Sequence, residues 1–409
     1  MRIFFVNRFF HPDESATSRI LTDLVGGLRD NFNIQVVTSR HSYDNSSTRL
    51  PVCTVEDRLT VNRLWSSRFG RSKTALRAID YLSFHAAVAW FLVRRVRPGD
   101  VVVLKTDPPL LQLINTALIR IRGGKVVNWL QDIYPEIAER AGVYRGPAWL
   151  ARMICKWRDR TLRAAVTNVV ISERMATYLQ GRGIRNVRVI PNWADEQAIS
   201  PVPREANDVR REWRLGDRFV VMYSGNLGRV HAFDEIREAM HLLSHRDDIA
   251  FVFVGGGAEQ QGLKAFVESK GLRNTMFFPL QPRDRLRHSL AAADLHLVTL
   301  KAGMEDLVMP SKLYGVWAAG RPVAFVGEPD SAVARLIRES GTGLAFTHGD
   351  AAGLVQAIEA LADEPASRAE QGRNARRLFE QRFTRAHCLG LWQDLIQGKF
   401  SAETVPGTT

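Results

Sequence analysis

Short apolar runs rich in β-branched residues alternate with longer segments of helical periodicity, and this alternation restricts the possible folds more than any other feature. The runs are apolar at consecutive positions, as in strands of a parallel sheet that helices cover on both faces. In the first half of the 409-residue chain the strand-like runs are residues 3–6, 34–38, 101–105, 126–130 and 169–171. The sequence therefore predicts a doubly wound, Rossmann-like α/β domain.

The same alternation restarts in the second half, after a segment with three prolines at residues 191–214. The strand-like runs of the second series are residues 219–223, 250–254, 275–278, 295–299, 322–326 and 343–346. We predict two doubly wound domains, residues 1–195 and 196–397, with a ligand cleft between them at the carboxyl ends of their strands. The last helix, near 373–396, is expected to cross back onto the first domain, and the tail 398–409 to be disordered.

The formal net charge of +13 is confined to the first half of the chain. Residues 1–200 hold 30 Lys and Arg against 17 Asp and Glu, whereas residues 201–409 hold 26 of each. This uneven charge indicates an anionic partner for the first domain: a membrane surface, a phosphorylated substrate or nucleic acid. Because the sequence has no signature of a nucleic-acid-binding module, we expect no nucleic-acid partner.

The cysteines and apolar segments indicate a cytoplasmic protein. Cys53, Cys155 and Cys388 have no CxxC spacing, so neither a disulfide framework nor a zinc module is expected. The first residues lack a long apolar run and a cleavage site, so no signal peptide is predicted. The longest uncharged apolar stretch of the first half, residues 81–93, is shorter than the about 17 to 25 residues of a membrane span. We therefore expect a cytosolic or peripheral location.

Two glycine-containing segments follow strand-like runs of the second half, where backbone N–H groups can approach an anion closely. The first is Tyr-Ser-Gly-Asn-Leu-Gly-Arg at residues 223–229, and the second is the glycine triplet 255–257. Both are candidate phosphate-binding turns, although each is also compatible with a plain turn between a strand and a helix. The candidate ligand-binding residues are Gly225, Asn226, Gly228, Arg229 and Gly256.

The segment Met-Pro-Ser-Lys-Leu-Tyr-Gly at residues 309–315 is a third candidate. Pro310 or Ser311 can begin a helix whose free N–H groups and dipole favour a diphosphate. Helix capping alone explains these two residues, but not Lys312, because the dipole disfavours a cation in the first turn. Lys312 is therefore predicted to bind the diphosphate. Two carboxylates just before the segment are predicted to accept hydrogen bonds from sugar hydroxyls: Glu305 and Asp306.

In this order the motifs resemble the donor domain of the group 1 (family four) glycosyltransferases of the GT-B fold. The pair Ala293-Asp294 and the Ala-Ala-Gly-Arg-Pro segment at 318–322 also match. In the first half, Phe-His-Pro-Asp-Glu at 10–14 and Trp-Leu-Gln-Asp-Ile-Tyr-Pro-Glu at 129–136 are similar to loops of its first domain. The resemblance covers residues 1–397 and points to the branch found in bacterial exopolysaccharide, O-antigen and colanic-acid pathways.

The resemblance implies transfer of a sugar from a nucleotide-diphosphate sugar to an acceptor, with retention at the anomeric carbon. Many members carry two glutamates eight residues apart, and the corresponding residues here are Leu307 and Gly315. The chain contains no Asp-x-Asp motif. We therefore expect chemistry without a metal or another cofactor, in which Lys312, Arg229 and backbone amides meet the charge of the leaving group.

Asp132 is the candidate catalytic or acceptor-orienting residue of the first domain. Many members have a His just before this Asp, and that residue is Gln131 here. The alternative role for Asp132 is capping of the helix around 135–141. His11 and Glu14 are predicted acceptor-side residues if the first strand ends before them, although both are also ordinary loop residues.

Two basic, aromatic-rich stretches of the first half are candidate membrane-binding helices. Arginines precede and follow the apolar run 81–93, and residues 149–158 place Trp, Met and Ile on one side of a helix with cations on another. Ordinary amphipathic helices packed on the sheet are the alternative, and the local excess of positive charge favours the membrane.

We therefore predict a peripheral glycosyltransferase on the inner face of the cytoplasmic membrane that modifies a lipid-linked acceptor in bacterial surface polysaccharide synthesis. Two alternatives stay open. A nonhydrolysing nucleotide-sugar epimerase shares the fold, and a catalytically inert partner of such an enzyme is consistent with Leu307 and Gly315.

Overall fold

A computed structural model describes residues 1–13, 15–41, 50–69, 74–144 and 146–398. The chain forms two compact units, one made of Met1–Pro191 with the segment from Cys388 onward and the other of Asn192–His387. The sequence-based boundary after residue 195 lies close to the division after Pro191. Of the predicted tail 398–409, all but Gly398 lies outside the described residues.

The first unit is built on an eight-stranded sheet with the strand order β3-β4-β2-β1-β5-β6-β7-β8. All neighbouring strands are parallel except β3 and β4, which pair antiparallel at one edge. The strands are β1 (Arg2–Val6), β2 (Asn33–Ser39), β3 (Cys53–Glu56), β4 (Leu59–Leu64), β5 (Val101–Lys105), β6 (Lys125–Leu130), β7 (Thr167–Val170) and β8 (Val187–Val189).

Helices cover this sheet because its central strands are buried on both faces. They are α1 (Ala16–Leu28), α2 (Thr74–Arg95), α3 (Gln112–Ile121), α4 (Glu136–Arg140), α5 (Ala148–Ala164) and α6 (Glu173–Gly181). In α2, Phe84, Val88 and Leu92 are fully buried at helical spacing and pack with Phe4 and Leu104 of the strands. Each such side chain contributes about 1.5 to 3 kcal/mol of hydrophobic stabilisation.

The second unit contains a six-stranded, all-parallel sheet with the order β11-β10-β9-β12-β13-β14. Its strands are β9 (Phe219–Ser224), β10 (Ile249–Val254), β11 (Thr275–Phe278), β12 (Leu295–Thr299), β13 (Val323–Val326) and β14 (Gly343–Phe346). The helices that follow the first unit's six are α7 (Asp208–Glu212), α8 (Asp234–Leu242), α9 (Gln260–Lys270), α10 (Leu286–Ala291), α11 (Lys312–Ala318), α12 (Ala332–Ser340), α13 (Ala351–Asp363), α14 (Pro365–Arg382) and α15 (Arg385–Gln397).

The two sheets, covered by helices, confirm the predicted fold class. The prediction of a single helix near 373–396 is wrong, because α14 ends at Arg382 and α15 begins at Arg385. The helix breaks at Phe383, whose ring packs against those of both Tyr314 and Trp317. Ala194 provides hydrogen-bond partners for the backbone at this break. Its N–H donates to the Phe383 carbonyl, and its carbonyl accepts from the Arg385 N–H. From Cys388 onward α15 belongs to the first unit, where Trp392 and Trp129 pack edge to face. Sequence reasoning also missed β3, β4 and β8.

Candidate active site

The loops after β9 and β10 pack directly against each other in the second unit. The Gly225 N–H donates to the Val254 carbonyl at 2.8 Å, and the Leu227 N–H donates to the Gly256 carbonyl at 2.9 Å. Gly255 has a φ of +119°, and a Cβ atom there would collide with the Gly225 carbonyl oxygen. The close approach of the two loops therefore explains the glycines at 225 and 255 even without a bound ligand.

A buried ammonium group lies beside this pair of loops. Lys312, the first residue of α11, places its Nζ 3.5 Å from the centroid of the Tyr223 ring and next to Gly225. Among the described residues this Nζ has no hydrogen-bond partner, and burial lowers the pKa of Lys312 well below its usual range. Because an unpartnered buried ammonium is costly, the site favours an incoming anion.

A second unpartnered polar atom lies in the segment before α11. Oε1 of Glu305 is buried and has no hydrogen-bond partner among the described residues. Burial, with the nearby carboxylates of Glu328 and Asp306, raises the pKa of Glu305. A buried carboxyl oxygen without a donor is suited to accept a hydrogen bond from a hydroxyl group.

His231 packs edge to face against Tyr223, with the ring centroids 5.8 Å apart. Its Nδ1 lies 2.5 Å from the Thr299 carbonyl oxygen. Burial, followed by the positive charge of Lys312, lowers the pKa of His231 to about 3, so the imidazole is neutral at physiological pH. Sequence reasoning missed Tyr223 as the surface under the Lys312 ammonium, because an aromatic residue at the end of a buried strand is typical of core packing.

The other predicted donor-site residues are distributed unevenly around Lys312. Arg229 and Asn226 are exposed, whereas Pro310 is buried. Ser311 is exposed, and its hydroxyl does not cap α11. Gly228 in the loop after β9 and Asp306 in the segment before α11 are half-buried, and Gly256 in the loop after β10 is exposed.

Leu307 and Gly315, the positions at which the family resemblance would lead us to expect glutamates, lie in packed surroundings. Leu307 is fully buried. A Cβ atom at Gly315 would lie 3.1 Å from Cδ1 of Leu290 and 3.9 Å from Cδ1 of Ile199. A glutamate side chain would be desolvated in these surroundings. The uncharged residues Leu307 and Gly315 therefore agree with the local packing.

In the first unit, Asp132 follows β6 and its carboxylate makes no hydrogen bond among the described residues. Burial and then the neighbouring Asp107 carboxylate raise the pKa of Asp132 to about 6. The predicted capping alternative is not observed, because α4 has no side-chain cap. His11 is exposed, and its carbonyl accepts a hydrogen bond from Arg63 at 3.2 Å. The predicted residue Glu14 lies outside the described residues.

The loop that carries Asp132 is held by a buried ionic network. Arg158 of α5 donates to the Tyr134 carbonyl at 2.7 Å and to both carboxylate oxygens of Glu136 at 2.6 and 2.8 Å. Tyr178 of α6 donates to the same carboxylate at 2.8 Å. Such a bidentate, buried pair fixes the path of the chain just after Asp132. In the described part of the chain, no group of three or more His, Cys, Asp or Glu side chains is arranged to hold a metal ion.

Comparison with known proteins places this chain in a family. Residues 15–193 match the glycosyl transferase 4-like domain, and residues 205–378 match the family model of glycosyl transferases group 1. The chain is 32% identical to the probable glycosyltransferase WbjE of Pseudomonas aeruginosa over 66% of this chain and 68% of that protein. It is 30% identical to the putative colanic acid biosynthesis glycosyl transferase WcaI of Escherichia coli strain K12, over 52% of this chain and 53% of that protein.

A solved structure shows the same architecture. The structure of Anabaena Alr3699/HepE in complex with UDP-glucose has a TM-score of 0.73 at 17% identity, and the alignment covers 97% of this chain and all of that one. The fold and the two sites define a two-domain glycosyltransferase of the GT-B fold. The chain belongs to the group 1 glycosyltransferases and is a glycosyltransferase of polysaccharide biosynthesis.

Proposed function

We propose that the second unit binds a nucleoside-diphosphate sugar and that the enzyme transfers this sugar, with retention, to a lipid-linked acceptor in bacterial surface polysaccharide synthesis. The observation that carries the proposal is the buried Nζ of Lys312, which has no hydrogen-bond partner in the described part of the chain. A diphosphate beside Gly225 restores both a counter-charge and hydrogen-bond acceptors to Lys312. Glu305 is then available to accept a hydrogen bond from the sugar.

The structures of Anabaena Alr3699/HepE include complexes with UDP and with UDP-glucose. Their fold is shared by this chain, and these ligands support a nucleoside diphosphate as the class of donor to test first. In the reaction, the bond between the anomeric carbon and the diphosphate oxygen breaks and negative charge develops on the leaving group. We assign the stabilisation of this charge to two cations, Lys312 at the start of α11 and Arg229 in the loop after β9.

The test is calorimetric titration of the full chain with UDP and UDP-glucose, followed by other nucleoside diphosphates and their sugars. We expect Lys312→Met to weaken binding by about 1.5 to 3 kcal/mol, the range for a hydrogen bond to a charged group. Lys270→Met is the matched control, because Lys270 is exposed at the end of α9. Equal binding by both variants would remove Lys312 from the site.

The same assay separates the alternatives when nucleotide release is measured with membrane lipid present. Transfer releases the nucleoside diphosphate only when an acceptor lipid is supplied. An inert partner of another enzyme, which the buried Leu307 and the packed Gly315 favour, binds the donor without releasing nucleotide. An epimerase changes the sugar of the donor without needing lipid.

We also propose that the first unit docks on the inner face of the cytoplasmic membrane through three adjacent helices. Helix α3 lies between α2 and α5 and packs against both. The large exposed apolar side chains of this three-helix surface are Ile79, Leu82, Trp90, Ile114, Ile121, Trp149, Met153 and Trp157. An apolar surface of this kind on three neighbouring helices is typical of an interaction site.

The charges of the three-helix surface support an anionic bilayer as its proposed partner. The acidic residues of these helices are Asp80 and Asp159, and both are buried. The exposed charged residues on or just after the three helices are all basic: Arg94, Arg95, Arg97, Arg120, Arg122, Arg152, Lys156, Arg160 and Arg163. Exposed apolar residues among cations match the interface of a membrane with anionic lipid.

Helix α2 contributes most to this surface. Within the described residues, Leu76–Arg95 is the one helix whose length and composition would suffice to cross a membrane. Phe84, Val88 and Leu92 attach one of its faces to the sheet, while Leu82 and Trp90 are 69% and 62% exposed on the other. We therefore assign α2 to the membrane surface, with its exposed face in contact with lipid.

A further inference from the structure

Three ionisable side chains meet at the carboxyl ends of β5 and β6, and sequence reasoning identified only one of them. Lys105 ends β5, Asp107 follows two residues later, and Asp132 follows the adjacent β6. Lys105 and Trp129 are register partners of the two parallel strands. The Gln131 N–H donates to Oγ1 of Thr106 at 3.3 Å, which holds the two loops side by side.

Lys105 is buried in surroundings that only partly compensate its charge. Its side chain is enclosed, with Nζ 4.0 Å from the centroid of the Trp129 ring and donating to the Thr17 carbonyl at 3.0 Å. An apolar side chain would fill this space without the cost of burying an ammonium group. The value of a lysine here is therefore electrostatic, and the two carboxylates are the groups on which it acts.

Among the three residues Lys105, Asp107 and Asp132, the two carboxylates outnumber the one cation. Oδ2 of Asp107 accepts a hydrogen bond from Oγ1 of Thr17 at 3.1 Å. The charged or titratable groups that face the cluster from neighbouring elements are Arg8 and Asp13 after β1, Arg77 of α2 and Tyr134 after β6. With these neighbours included, three cations face three carboxylates, so the site has no excess of positive charge to attract a phosphate group and is better suited to a hydroxyl-bearing, uncharged part of a substrate.

We propose that Lys105 and Asp107 form one cluster with Asp132 that binds and orients the attacking hydroxyl of the acceptor sugar. Lys105 is the positioning residue, and its charge keeps Asp132 ionised. The inference rests on the proposed transfer reaction. In that reaction the bond to the diphosphate breaks, and the hydroxyl oxygen forms the new bond to the anomeric carbon from the same face, which retains the configuration. The hydroxyl proton passes to the Asp132 carboxylate.

The cluster determines how transfer depends on pH. The pKa of Asp132 is about 6 and that of Lys105 is lowered to about 7, mainly by burial. Asp132 gains its negative charge as pH rises through about 6. As pH rises through about 7, Lys105 loses the positive charge that favours ionised Asp132. Because Asp132 stays ionised at higher pH even without that charge, we expect transfer to rise through an apparent pKa near 6 and then to level off, and this pKa belongs to the cluster as a whole.

The test compares Lys105→Met and Lys105→Arg with Lys125→Met, because Lys125 is an exposed lysine at the start of β6. The measurement is the pH profile of kcat/KM for nucleotide release with membrane lipid as the acceptor source. Removing a neighbouring cation shifts a carboxyl pKa by about one unit or more. We expect Lys105→Met to shift the acidic limb of the pH profile to higher pH by that amount. Lys105→Arg should restore the position of this limb, and Lys125→Met should leave it unchanged.

A uniform loss of activity at every pH in Lys105→Met, without movement of the acid limb, would overturn the proposal. A second measurement does not depend on a variant that folds: the titration of ¹³Cε-labelled lysines in the unaltered chain by NMR. Burial also lowers the pKa of Lys312, so the titration is repeated in Lys312→Met. We expect a lysine to titrate near pH 7 in both proteins, and its absence from the Lys312→Met spectra would also overturn the proposal. Failure of the unaltered chain to bind any nucleoside-diphosphate sugar would instead overturn the proposed function, so the two failures are distinguishable.

Discussion

Single residues decide how closely the loops after β9 and β10 approach each other. Gly255 has a φ of +119° and faces the Gly225 carbonyl, whereas a Cβ atom at Gly256 would meet only Oε1 of Gln260, at 3.5 Å. We expect Gly255→Ala to destabilise the protein by at least about 2 kcal/mol, because the backbone conformation is strained for alanine and the loops must separate. Thermal unfolding of the two alanine variants is the measurement.

The Gly256→Ala variant is the matched control for that experiment and is expected to unfold close to the temperature of the unaltered chain. Equal midpoints for both variants would show that the loops after β9 and β10 separate at little cost. Since Gly225 lies beside Lys312, we also expect Gly255→Ala to weaken nucleoside diphosphate binding.

At the scale of elements, α2, α3 and α5 act together as the three-helix surface. Near an anionic membrane each Lys or Arg contributes about 1 kcal/mol, and this attraction decreases over about 8 to 10 Å at physiological salt. We expect full-length protein to sediment with anionic vesicles at low salt, and binding to fall steeply as salt rises. Changing Arg94, Arg95 and Arg97 to Glu is expected to weaken sedimentation at least tenfold while nucleotide binding is retained.

The matched control for the three-helix surface has the same change of charge on the second unit. It replaces three exposed arginines by Glu: Arg273, Arg287 and Arg373. Equal loss of vesicle binding in both triple variants would show that net charge, and not this surface, attracts the lipid. Sedimentation of neither protein at low salt would contradict membrane docking and make a soluble acceptor the better hypothesis.

At the scale of the whole molecule, we expect transfer to proceed without a divalent metal. Lys312 places its amino group beside the glycine loops, where a bound diphosphate favours its charged form, and Arg229 lies in the same loop as Gly225. Positive side chains and backbone amides are sufficient to stabilise a diphosphate leaving group. Nucleotide release should therefore be unchanged by EDTA. Loss of release with EDTA, and its recovery with magnesium or manganese, would contradict this account.

Much of the fold was predictable from the sequence because a strand buried on both faces is recorded locally, as a short and continuous apolar run. The runs at 3–6 and 295–299 correspond to β1 and β12 within one residue. Lys312 was also identifiable, since a lysine in the first turn of a helix opposes the helix dipole and so needs another explanation. The family prediction is confirmed, while the roles of the individual site residues remain predictions.

Other features depend on contacts between residues far apart in the chain, which no local pattern records. The break after α14 exists because Ala194 bonds to Phe383 and Arg385, almost 200 residues away in sequence. Lys105 ends an apolar strand, and only its neighbours Trp129, Thr17 and Asp132 distinguish it from an ordinary strand terminus.

The sequence by itself determined the two α/β domains, the position of the charge and the family. The tertiary structure decided which face of each helix is exposed and which ionisable groups share a site. The physical reason is that helical periodicity shows an apolar stripe but not what covers it. In α5 the buried face holds Arg158 and Asp159 while Trp149, Met153 and Trp157 remain exposed, and only the packed structure reveals this arrangement.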